Sequence, residues 1–131
     1  MNRKEYYTRA IKSSSALKNQ ELRDLVWKKT GGICFYCGEV LDKKGWQSKN
    51  AFVVEHFIPI INGGGDELSN LVPSCRRCNG IKRHRDLEGF RLSMEKSLGM
   101  FFSEKQIEYL RSIGFEIQLN RYQFYFERKN G

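Results

Sequence analysis

Apolar side chains at Leu22, Leu25 and Val26 recur at helical spacing, with Asn19-Gln20-Glu21 ahead of them and Lys28-Lys29 behind. An N-cap residue, a first-turn acid and last-turn lysines fit a short amphipathic helix. Thr30-Gly31-Gly32 ends it, glycine supplying the left-handed position past the last turn. Tyr6, Tyr7, Ala10 and Ile11 predict an earlier helix, separated by Ser13-Ser14-Ser15. Ala51 to Glu55 is β-branched and aromatic and reads as a strand, and Leu71-Val72 as its short partner beyond a glycine-rich loop. Cys78-Asn79 opens a polar helix through Lys82 and Arg85, and Leu87, Phe90, Met94 and Leu98 keep a helical spacing that Gly99 ends.

The last thirty residues form a distinct block. Ser103 and Gln106 match a capping box, starting a helix to about Ile113. FEIQL and YQFYF then alternate, and a turn at Asn120-Arg121 would set Leu119 against Tyr122, Ile117 against Phe124 and Phe115 against Phe126. This predicts a β-hairpin packed on its helix. The expected organisation is α+β: a basic helical arm over residues 1–18, a core over 19–98, and a helix-plus-hairpin extension over 99–131, joined in one globular unit.

Composition narrows the class. The 131 residues include 40% hydrophobic and 29% charged side chains, a globular balance. No apolar run reaches the ~20 residues a bilayer span needs, and the start has no signal-peptide core, so a cytoplasmic protein without a membrane partner is expected. The formal charge of +8 points to a polyanion, and all the excess lies before residue 86. Nucleic acid is therefore the expected partner, and the neutral aromatic C-terminal hairpin is a candidate surface for a partner protein.

Cys34-Phe35-Tyr36-Cys37 and Cys75-Arg76-Arg77-Cys78 are two C-x-x-C turns. Two residues between thiolates let a tight turn aim both sulfurs at one ion, and two such turns complete a tetrahedron. A redox disulfide would not explain the second copy. Cys34, Cys37, Cys75 and Cys78 are thus expected to hold a structural Zn²⁺, with no open coordination position.

Glu55-His56 interrupts the apolar run VVEHFIPI. Two adjacent ionisable groups are costly inside a strand, so they belong at a strand end or to a site. Hydrolysis of a phosphodiester needs a base and charge stabilisation, and imidazole suits the first near neutral pH. His56 is the candidate base. Oxygen ligands such as the Glu55 carboxylate and the Asn79 amide would suit Mg²⁺ or Mn²⁺.

Glu55-His56, Pro59, Gly63-Gly64, Asn70-Leu71, Cys75-x-x-Cys78-Asn79 and Lys82, preceded by Cys34-x-x-Cys37, together resemble the HNH endonuclease family over about residues 22–91. The resemblance implies a zinc-clamped ββα-metal core that cuts DNA, expected to be double-stranded. In that likeness His56 is the general base, Glu55 and Asn79 are ligands of a catalytic divalent ion, and Asn70 fixes the loop that orients the histidine. Lys82 and Arg83, with Arg76, Arg77 and Arg85, would face phosphates. Two positions depart from the pattern. Glu55 stands where aspartate is usual, and Arg83 stands where some members carry a second histidine, His84 lying about 140° around the helix from Asn79. The alternative reading is a non-catalytic, zinc-stabilised nucleic-acid-binding module.

Overall fold

The computed structural model describes residues 19–100, 102–117 and 120–130, so the helix expected around Tyr6–Ile11 lies outside the described residues. The elements run α1 (Asn19–Lys28), β1 (Phe52–His56), β2 (Leu71–Cys75), α2 (Arg76–Lys82), α3 (Leu87–Ser97), α4 (Glu104–Ser112) and α5 (Tyr125–Asn130). This is an α+β fold in which one antiparallel strand pair leads directly into a helix. Among the described residues no helix is long and apolar enough to cross a membrane.

Helix α1 buries Leu22 and Val26, and Trp27 meets the ring of Phe52 edge-on at 5.2 Å. Its end is tight: Gly32 has φ 92°, and a Cβ there would lie 2.5 Å from the Trp27 ring. The strands pair Phe52 with Cys75 through His56 with Leu71. Every residue of β2 is buried, including Pro73. Helix α2 begins at Arg76, ahead of the Cys78-Asn79 start that the sequence suggests, because the Cys75 sulfur accepts from the Cys78 N–H and caps it. It stops at Lys82, where Arg83 turns to φ 53°. Asp86 caps α3 through the Gly89 N–H, and Phe90 and Met94 face the core. The Ser103–Gln106 capping box forms as expected at the start of α4.

Among the described residues the expected C-terminal hairpin does not form, and Leu119 of the expected Leu119–Tyr122 pair lies outside them. The described residues hold a single two-stranded sheet, β1 with β2, and Tyr125 to Asn130 is helical. The alternating aromatics are buried by another route. Phe126 stacks on Phe35 at 4.4 Å and 6°, while Phe124, fully buried, packs against Tyr36 and Phe90. The backbone N–H groups of Tyr125 and Phe126 donate to the carbonyls of Tyr36 and Phe35, at 2.8 and 3.1 Å. These partners lie between the first two cysteines, and they replace the sister strand. Arg91 of α3 locks the arrangement with a bidentate pair to Glu127, both contacts at 2.7 Å. Phe115, which the hairpin would have paired with Phe126, is exposed.

Candidate metal centre and active site

The Cys34–Cys37 turn closes through Gly38 N–H to the Cys34 carbonyl at 3.0 Å, with Gly38 at φ 82°. A Cβ at Gly38 would meet the Tyr125 ring at 3.0 Å. The second turn opens α2. The four sulfurs lie within 4.8 Å of one another, and all four cysteines are free. Zinc–sulfur bonds of about 2.3 Å in a tetrahedron require sulfur–sulfur edges of roughly 3.8 Å. The Cys37–Cys75 separation is 3.8 Å, so the cluster fits a structural ion such as zinc. Hydrogen bonds from its three neighbours hold the Cys34 thiol far below its ordinary value and push Cys75 and Cys78 up. A cation would replace those shared protons.

Arg77, expected at phosphate, serves this centre instead. It lies close to the Cys37 and Cys78 sulfurs, and although burial pulls its pKa down, their charge raises it overall. Its Nε is buried without a hydrogen-bond partner among the described residues. A tetrathiolate site carries surplus negative charge, and a guanidinium alongside offsets it.

His56 ends β1 and is 6% exposed. Its Nε2 lies 2.7 Å from Oδ1 of Asp66, a residue that sequence reasoning missed. The loop carrying Asp66 is fixed by Asn70. That side chain accepts from the Ile58 N–H at 2.9 Å and donates to the carbonyls of Ile58 and Gly65 at 3.0 and 2.8 Å. Gly64 is required there, since a Cβ would sit 1.8 Å from the Ile58 carbonyl oxygen.

Glu55 sits beside His56 in sequence but points into the core. Tyr36 donates to its Oε2 at 2.5 Å, and Lys82 Nζ lies 3.0 Å from Oε1 and 3.0 Å from the His56 carbonyl oxygen. Burial pushes the Glu55 carboxyl up while the Lys82 charge pulls it down, and burial beside Glu55 pushes the Tyr36 hydroxyl up strongly. Two sequence expectations change. Lys82 is fully buried and cannot reach phosphate, and Glu55 has both oxygens engaged, with an ammonium where a divalent ion would bind. The residues present do not fit Glu55 as a ligand of Mg²⁺ or Mn²⁺. Asn79, half-buried, lies three residues before Lys82 and so near it on the helix surface. Arg76, Arg83 and Arg85 remain exposed.

Sequence spacing could have placed Lys82 inside. It follows the buried Cys78 by four residues, on the same face of α2. Asp66 carried no such signal, because a loop carboxylate's partner depends on how the loop folds.

Comparison with known proteins agrees with this geometry. Residues 34–85 match the family model of the HNH endonuclease. No curated protein matches the chain. With the four-cysteine centre, the family match supports a nuclease or nucleic-acid-binding function built on a metal site.

Proposed function

We infer that this chain, which carries an HNH endonuclease domain over residues 34–85, hydrolyses DNA phosphodiester bonds with His56 as the general base. The observation that carries the reading is the His56–Asp66 contact of 2.7 Å at the end of a strand whose loop is locked by Asn70. A carboxylate in that position holds an imidazole ring in one orientation and stabilises the charge it gains on taking a proton. In this reading His56 removes a proton from water, the oxygen attacks phosphorus, and the ester oxygen departs. Asp66 positions the base. Arg83 and Arg85, exposed just past α2, supply cationic contacts to the phosphates. No step is assigned to an ion on Glu55.

The test is cleavage of supercoiled plasmid by zinc-loaded protein with Mg²⁺ or Mn²⁺ present. His56→Ala should abolish cutting, and Asp66→Asn should lower the turnover number by roughly a hundredfold or more with little change in KM. Equal cutting by the parent and His56→Ala would sink the catalytic reading and leave the binding module.

A further inference from the structure

The segment between Asp42 and Asn50, DKKGWQSKN, is absorbed by neither the metal centre nor the base. It carries Trp46, 67% exposed and without a ring contact among the described residues. The loop that presents it is held at many points. Asp42 N–H donates to the Asn50 carbonyl at 2.9 Å, Gly45 N–H to the Asp42 carbonyl at 3.1 Å, and Ala51 N–H to the Ser48 carbonyl at 3.1 Å. Arg23 donates to the Lys43 carbonyl at 3.3 Å, Arg76 to that of Gln47, and Arg77 N–H to that of Lys49 at 3.1 Å. A large apolar ring is therefore offered to solvent from a braced support.

The Asp42 carboxylate turns back on the loop, accepting from the Lys44 N–H at 3.2 Å, and the cationic neighbours divide into two groups. Lys43 is occupied, paired with Asp24 at 2.8 Å and lying over the Trp27 ring. Lys44 and Lys49 are exposed and in no ion pair among the described residues. Arg76, whose guanidinium touches the loop at Gln47, opens the same helix that ends near His56.

We propose that Trp46, flanked by Lys44, Lys49 and Arg76, is a second nucleic-acid contact, in which the indole stacks on a base while the cations follow the adjoining phosphates. An exposed indole offers a π-face that any base can meet, and the lysines complement a phosphodiester strand. A protein partner would answer that charge only with an acidic surface placed around the ring, whereas every nucleic-acid strand carries base and phosphate together. The loop adjoins the Phe52 end of β1 and His56 closes the other, about 13 Å away at the rise of a strand. The proposal rests on the nucleic-acid reading of the site but not on its catalysis.

The test uses zinc-loaded full chain in a His56→Ala background, so that the nucleic acid stays intact, titrated with fluorescein-labelled single-stranded and duplex DNA. Adding Trp46→Ala should weaken single-strand binding roughly 5- to 100-fold, whereas Trp46→Phe should retain most of it. Indole emission should be quenched by unlabelled DNA in the parent and unchanged in Trp46→Phe, which keeps Trp27. Replacing Lys44 and Lys49 with alanine should flatten the salt dependence by about two phosphate contacts. Unchanged single-strand affinity in Trp46→Ala would overturn the proposal, as would equal quenching with and without Trp46. Either result leaves the cleavage comparison of His56→Ala untouched, so the two readings fail separately.

Discussion

Replacing Lys82 with methionine keeps the length and apolar stem of the side chain and removes only its charge and donors. In the native protein Nζ bridges the Glu55 carboxylate and the His56 carbonyl at 3.0 Å each, with the lysine side chain fully buried and that of Glu55 3% exposed. Removing one member of a buried pair strands the other charge, at a cost of about 3–5 kcal/mol. That is a large fraction of the ~5–15 kcal/mol that holds a domain folded, and corresponds to roughly 10–20 °C in Tm. Urea unfolding of the zinc-loaded protein measures it. Adding Glu55→Gln should recover most of the loss, because the amide oxygen still accepts from Tyr36 without carrying charge. The pH dependence has a definite sign. Burial raises the Glu55 carboxyl in the folded protein, and a raised group gives stability that is present at low pH and lost as pH rises through its folded value. Without Lys82 the upward push is unopposed, so the Lys82→Met deficit should grow as pH rises above the ordinary carboxylate range. A cost below about 1 kcal/mol, or no recovery with Glu55→Gln, would refute the assignment of this pair as a structural latch.

Two further outcomes follow from the geometry. Stripping the metal with a strong chelator should cost on the order of 10 kcal/mol and abolish cooperative unfolding followed by circular dichroism; a chelated chain that still melts cooperatively would show that the four thiolates are not what holds the fold. Gly64→Ala should leave helix content near native yet lower cleavage at least tenfold, because its Cβ would collide with the Ile58 carbonyl and move the loop that carries Asp66; unchanged cleavage would show that this loop does not set the geometry of His56.

Sequence made the metal centre legible because four cysteines in two fixed spacings have few other uses, and Glu55-His56 stood out because ionisable groups are costly in a strand. The capping residue Ser103 was readable too, since its hydrogen bonds are local; the Asp86 cap is equally local but was not read from the sequence. What failed was long-range. YQFYF has the alternation of a strand, and alternation records which side chains want burial but not what buries them. Here the cover is Phe35 and Tyr36, far away in the chain. Lys82 and Arg77 were read as surface cations because composition treats every lysine and arginine alike, whereas their partners are the Glu55 carboxylate and the cysteine sulfurs. The Asp66 contact needs a loop conformation set by Asn70 and Gly64 together.

Tyr36 lies between two metal ligands, touches Glu55 with its hydroxyl, and takes Phe124 against its ring. During synthesis the cysteines and His56 emerge long before Phe124, so the ribosome releases the chemistry of the site ahead of its packing. The end of β1 that carries His56 therefore gains its packing last, when Phe124 closes over Tyr36 and Phe126 over Phe35 in the first cysteine turn.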